Sequence, residues 1–558
     1  MKRMAFFLLL MMAIPTVFAQ TNDEKTEVVV LMKSQYNRLA LSRQAGYFTS
    51  RTERRDYVVK ELKTFSEASQ YDLRQTLDEM ERQGMVESIH SLWMSNALYF
   101  SATESALSSL SERSDIALIS RNIKHQWIPE GEKPTKAIDS REITPNITQV
   151  NADQVWTLGY TGQGVVVAVV DSGVNYEHED LADHLWDGGI EFPHHGYDIV
   201  NDDNDPMDDK GHGTHCAGTV LGDGTAGSLT GVAPEATLMC VKSIAADGFG
   251  GAVNIAGGME WAVEHGCDVI SMSLGMVGAE VADKEILRRT CEAVLDAGII
   301  ALVCAGNEGN AFLQMTYPIP NNVRVPASCP PPYLDPDQLV NPGGLTCVMA
   351  IGALNSSDAA ANFSSQGPVT WQDSEFGDYA YNPGIGLIRP DVCAPGVGIK
   401  SLDYETTNGY CLMDGTSQAT PCVAGIVALM LSKNPELTPA QICQILEETS
   451  VKLTPNKSNI TGVGRVDALA AVNAVPEWTG VNESNEGSCH IFPNPSNNIF
   501  TIECEGMRQI EIYTMDGRLV KSVQTESPVH QLKGLMNGTY LVKITTDKKV
   551  IVKKAMKL

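Results

Sequence analysis

Long apolar runs are scarce in this chain of 558 residues. Residues 5–14 form one near the start, and no other segment approaches the roughly 20 apolar residues that cross a bilayer. A multispan membrane protein is therefore excluded. Basic residues are few: 41 Lys and Arg stand against 68 Asp and Glu, a formal charge of −27. That balance argues against a nucleic-acid partner, whose phosphates call for Lys and Arg. The 13 cysteines are too sparse for a small disulfide scaffold. Their odd number leaves at least one unpaired within the chain. None precedes Cys216. What is present, 43% hydrophobic and 20% charged residues, is ordinary for folded globular protein. The length suggests about three domains.

The two ends carry addresses. Lys2 and Arg3, the apolar run and Val17-Phe18-Ala19 read as a secretory signal peptide, residues 1–19. Export would place the mature chain where disulfides are allowed. At the other end, residues 507–558 hold ten Lys and Arg against four Asp and Glu. Residues 510–514 alternate as a half-buried strand does. Asp516-Gly517 and Asn537-Gly538 are hairpin turns, so this end is a small all-β module. Its pieces run in the order Ile491-Phe492-Pro493-Asn494-Pro495, Gly517-Arg518-Leu519-Val520 and Gly538-Thr539-Tyr540-Leu541-Val542, before a Lys-rich end. That order resembles the C-terminal sorting domain of type IX secretion cargo in Bacteroidetes, over residues 487–558. The resemblance implies a secreted or cell-surface protein, with the type IX secretion machinery as a partner.

Between the ends the texture changes twice. Residues 20–125 combine helical spacing at 57–85 and 104–113 with strand patterns at 87–100 and 115–120. This predicts a small α+β unit. Pro129, Pro134 and Pro145 mark residues 126–146 as a linker. Residues 147–475 then alternate apolar runs, at 165–170, 236–241, 267–274, 299–305 and 347–353, with helical patterns such as 253–265 and 283–297. Continuous apolar runs fit strands buried on both faces of a parallel sheet, giving an α/β domain of helix, sheet and helix layers. Functional residues should follow the carboxyl ends of its strands. A short linker, 476–486, leads to the basic tail.

Three motifs fall where such residues are expected. A buried run ends in Asp171-Ser172-Gly173. Gly211-His212-Gly213-Thr214-His215 opens a helix. Gly415-Thr416-Ser417-Gln418-Ala419 starts an apolar helix, placing the Ser417 hydroxyl in the positive field of the helix N-terminus. The chain order Asp, His, Ser is that of subtilisin, not of chymotrypsin or the α/β-hydrolases. Together the motifs resemble the subtilase family of serine endopeptidases over residues 147–475. The resemblance implies a subtilisin-like three-layer αβα domain with a mostly parallel sheet. A small α+β propeptide (20–125) would precede it and a small all-β sandwich follow. Asp171, His212 and Ser417 would be the triad, with Asn307 of Ala305-Gly306-Asn307 and the Ser417 N–H as oxyanion hole. Ser273, Leu274 and Gly275, with Gly248, Phe249 and Gly250, would line the cleft, where a peptide adds as a strand. His215 is the competing base, one turn beyond His212. The resemblance implies a secreted endopeptidase of proteins and peptides, made as a self-processed zymogen held by its own propeptide and expected to act as a monomer. No cofactor is implied for catalysis.

Some positions depart from the family. Gln418 stands where Met is common, Cys216 where Val is usual and Cys422 where His is usual. The two cysteines read as small buried hydrophobes. Cys329 with Cys347, and Cys489 with Cys504, are the expected disulfides. Asp202, Asp203 and Asp205 lie in an acidic loop that could hold structural Ca²⁺. The same loop could equally be solvated, with Asp208 and Asp209 at the helix N-terminus. The loop 223–230, a calcium position in many subtilases, offers one carboxylate here. Primary specificity depends on insertions at about 311–346 and 365–388, which carry no motif.

Overall fold

The computed structural model describes residues 24–48, 50–128, 135–136, 141–330, 346–371, 386–476, 489–492, 499–504, 506–514, 518–525, 527–536, 538–547 and 550–557. The chain divides into two compact units, 1–476 and 477–558. The expected signal peptide, the Asp516-Gly517 turn and Asn537 lie outside the described residues.

A nine-stranded sheet forms the centre of the first unit. Its order is Val451–Lys452, Gly464–Arg465, Val392–Pro395, Met349–Leu354, Ile300–Cys304, Val269–Met272, Val166–Asp171, Thr237–Lys242 and Gly196–Asp198. All pairs are parallel except the first. Side chains alternate across a strand, and Val166–Asp171 shows the result. Val167 and Val169 enter one core with helices His212–Leu221 and Thr416–Lys433. Ala168 and Val170 enter another with helices Ala252–Glu264 and Val281–Asp296. The three predicted layers follow from that alternation.

An N-terminal α+β subdomain packs on the second helix layer. Its four strands are antiparallel, in the order Val86–Leu92, Ala97–Ala102, Thr26–Met32, Ile116–Arg121. The run read as one strand over 87–100 is two strands. Asn96 takes φ 48° and turns the chain between them, a conformation Asn tolerates better than most residues. Val28, Val30 and Met32 face the subdomain's own core. Val29 and Leu31 instead meet Val253, Ala256, Ala282 and Ile286 of the two underlying helices. Helix Arg51–Arg82 divides in the same way: Leu73 and Leu77 join the subdomain core, while Val58 and Leu62 join the core beneath the large sheet.

The stretch 126–146, expected as a linker, is docked at both ends. Trp127 and Ile128 are buried, and Thr144 donates from its N–H to Leu229 O.

The second unit is the expected all-β module. One sheet orders Cys489–Phe492, Phe500–Cys504 and Val529–Leu532. The other orders Leu519–Gln524, Met507–Thr514, Gly538–Thr546 and Val550–Lys557. Phe500, Ile502, Ile510, Ile512, Val542 and Ile544 form its core.

Candidate active site

Asp171 ends its strand fully buried, a costly place for a carboxylate unless it is paired. Its Oδ1 accepts from Ser172 N–H at 2.8 Å and lies 2.7 Å from His212 Nδ1. A carboxylate only accepts, so the proton sits on Nδ1 and Nε2 is the basic nitrogen. Burial by itself would depress the imidazole. The Asp171 charge more than reverses this and holds His212 well above its ordinary value.

The helix that carries His212 is fixed at its start. Gly211 has φ 94°, and a Cβ there would meet the Tyr404 ring at 2.4 Å. Asp208 caps the turn: it accepts from the N–H groups of Lys210, Gly211 and Thr214 and from the Ser172 and Thr214 hydroxyls. The helix-start role expected for Asp208 is thus observed, while Asp209 turns to Lys242 at 2.6 Å. His215 points away from the site. It is buried with Nε2 3.1 Å from Ile399 O, and burial pushes it down to about 3.

Ser417 lies in the first turn of its helix, 4% exposed. Its carbonyl accepts from the Ser273 hydroxyl at 2.6 Å and from the Cys216 thiol at 3.6 Å. The same sulfur is 3.9 Å from His212 Nδ1. Cys216 therefore ties together two helix starts that lie 205 residues apart in sequence. Burial raises its thiol, so it stays neutral. Asn307 Oδ1 accepts from both Thr416 N–H and Thr416 Oγ1 at 3.0 Å. A backbone N–H can only donate, which fixes the oxygen of this amide and puts its NH₂ on the other branch.

Two short strands pair at one segment expected to line a cleft. Phe249–Gly250 pairs antiparallel with His125–Gln126, and Gly248 O accepts from Trp127 N–H at 2.9 Å. Gly248 has φ 85°, and a Cβ on it would meet Ile128 O at 2.7 Å. Glycine is what lets the chain approach so closely. On the opposite side, Ser273 reaches Ser417, Leu274 is packed into the core, and Gly275 O accepts from Arg324.

A family model described as "Subtilase family" matches residues 162–464. The chain belongs to the subtilase family. Serine protease AprX of Bacillus subtilis is 34% identical over 346 residues, which are 57% of this chain and 67% of that protein. Subtilisin E of the same species is 35% identical, over 60% of this chain and 72% of its own length. Bacillopeptidase F, also from B. subtilis, is 28% identical over 83% of this chain and 31% of itself. A second model, "Secretion system C-terminal sorting domain", matches residues 490–557. This subtilase is thus a subtilisin-like serine peptidase sent by the type IX route to the cell surface or the extracellular space. No helix among the described residues is long and apolar enough to cross a membrane.

In the acidic loop Asp202 accepts from Tyr197 OH, Asp205 from Tyr176 OH, and Asp203 from the Asp205 N–H. Asp223 of the neighbouring loop meets Asp183 and His184 at the surface. One expectation is corrected: Cys329 and Cys347 form no disulfide. Cys329 and Cys347 are buried free thiols, the latter donating to Pro330 O at 3.2 Å. Cys216, Cys304 and Cys422 are likewise buried and in no disulfide. Cys504 is disulfide-bonded, and Cys489 stands opposite it in the strand register.

Arg324, Glu308 and Glu260 escaped the sequence reading. Arg324 pairs with Glu308 across 16 residues, and Glu260 accepts from the N–H of Met94, 166 residues away. Neither spacing carries a local signature.

Gln418, fully buried beside Ser417, donates to Met413 Sδ at 3.7 Å. A methionine here would put an oxidisable sulfur against the active centre. The parent should keep its activity in mild peroxide and Gln418→Met should lose most of it. Equal sensitivity of the two proteins would refute this.

Proposed function

We propose that this subtilase is an endopeptidase made as a zymogen, with Asp171, His212 and Ser417 as its triad. Ser417 Oγ attacks the peptide carbonyl while His212 Nε2 takes its proton, then returns it to the leaving amine. Asp171 holds the Nδ1–H tautomer and stabilises the imidazolium. The tetrahedral oxyanion is met by the Asn307 amide and the Ser417 N–H, and water then releases the acyl group. The observation that carries this reading is the 2.7 Å His212–Asp171 pair, joined to Ser417 through Cys216. Asn307→Ala should lower kcat by about 10²–10³-fold with KM little changed, the size found when a subtilisin loses this donor. A change confined to KM would remove Asn307 from the oxyanion hole.

Residues 1–19 act as the export signal in this reading, and residues 20–125 as the propeptide. Support comes from His125–Gln126, which lie as a strand against Phe249–Gly250, with Trp127 beside them in the cleft. N-terminal sequencing of the mature protein should find its start between about residues 122 and 147. A peptide-library profile of that protein reads its specificity.

Release of the propeptide depends on pH in this scheme. Glu260 Oε1 accepts from Met94 N–H at 2.6 Å, and burial pushes the carboxyl up to about 8 from 4.5. Its contribution to docking is complete below pH 4.5 and is lost as pH rises through about 8. The affinity of the cut propeptide should fall across that window and be flatter in Glu260→Gln. An unchanged slope in Glu260→Gln would sink the idea.

A further inference from the structure

Arg324 stands between the two strand ends that frame the cleft. A Cβ on Gly275 would lie 2.7 Å from Arg324 Cβ, and one on Gly306 would lie 2.8 Å from its Cγ. The residue is 6% exposed. Its Nε lies 3.0 and 3.1 Å from the two oxygens of Glu308, and Nη2 lies 2.5 Å from Oε1. Glu308 also accepts from Ser365 Oγ at 3.0 Å. One branch of the fork is therefore neutralised and locked. The other branch, Nη1, donates to Gly275 O and to Trp127 O, each at 3.0 Å. The first acceptor belongs to the cleft wall. The second belongs to the chain lying in the cleft.

We propose that Arg324 is a substrate-binding residue whose Nη1 takes the backbone carbonyl of the peptide residue seated where Trp127 lies. This rests on the reading of residues 125–128 as a stand-in for substrate. The charge balance selects the ligand chemistry. With Glu308 neutralising the guanidinium, the Nη1 edge has no net charge to satisfy, so it suits a neutral amide carbonyl, not a carboxylate. On the Gly248–Gly250 side the cleft binds a peptide through its own main chain. On the Gly275 side a planar side chain supplies the donor. Glu308 follows Asn307 directly, so the same loop fixes this clamp and the proposed oxyanion donor.

The test uses the matured enzyme and acetylated peptides spanning residues 122–128 as competitive inhibitors. In one peptide the Trp127–Ile128 amide is replaced by ketomethylene, which keeps the carbonyl. In its partner it is replaced by ethylene, which lacks only that oxygen. The ketomethylene peptide should bind the parent about tenfold more tightly. In Arg324→Met/Glu308→Gln, where no carboxylate is left unpaired, the ratio should fall below twofold. Arg324→Met alone is the second variant should the pair fail to fold. A purely structural arginine would change stability, read by thermal unfolding, and leave the ratio at its parent value. That result would overturn the proposal. If the unmodified peptide does not compete for the cleft at all, the stand-in reading itself fails, and the two failures are distinct.

Discussion

Ser417→Ala should leave the full-length chain uncut and digest no casein. The expected loss in kcat is on the order of 10⁶-fold, the size seen when a subtilisin loses its nucleophile. The variant should still fold. Ser417 contributes a carbonyl, not its hydroxyl, to the contacts with Ser273 and Cys216, so alanine preserves them. The N-terminal subdomain should then stay attached, its tail held against Phe249–Gly250. Mass spectrometry of the purified variant, beside the parent, checks both statements. An alanine protein that matures unaided and hydrolyses casein would end the serine-peptidase assignment of Ser417. Cys216 could not take its place, because burial keeps that thiol protonated.

Asp171→Asn should cost about 10⁴-fold in kcat, since an amide can donate to Nδ1 and so favour the wrong tautomer. It also makes a distinct prediction about pH. His212 acts as a base only when it has lost its proton. In the parent the carboxylate holds the imidazole well above its ordinary 6.5, so kcat/KM should climb with pH through a value above 6.5. In Asp171→Asn that support is gone and burial acts alone, so the rise of the residual activity should move to lower pH. Profiles of the two proteins over pH 4–10, on the order of six units as these titrations require, provide the measurement. Coincident acid limbs would show that Asp171 does not set the protonation of His212.

Much of this was legible in the sequence because the signals were local or ordered. The run from Val165 to Val170 is apolar at every position, which identifies a strand covered on both sides, and Val167 and Ala168 do enter different cores. Chain order singled out Asp171, His212 and Ser417 as candidates without any distance. What stayed hidden depends on partners remote in sequence. Nothing near Asp202 or Asp205 says that Tyr197 and Tyr176 will occupy their oxygens. The turn at Asn96 sits inside residues of high strand propensity, so the hairpin read as one element. The linker was judged by its prolines, yet Trp127 docks its start by being buried, with its indole N–H on Gly250 O.

The shared helix Arg51–Arg82 has a further consequence if residues 20–125 are cut away as proposed. Its Val58 and Leu62 are buried against the peptidase, and Val29 and Leu31 lie on the Ala252–Glu264 and Val281–Asp296 helices. A departing fragment takes these side chains into water with no surface of its own to cover them. Each such side chain loses about 1.5–3 kcal/mol of burial, a large share of a small domain's stability. That burial favours rebinding, so a cut fragment would stay on the enzyme as an inhibitor until it is itself digested. In that scheme digestion of the fragment, and not its release alone, would make activation irreversible.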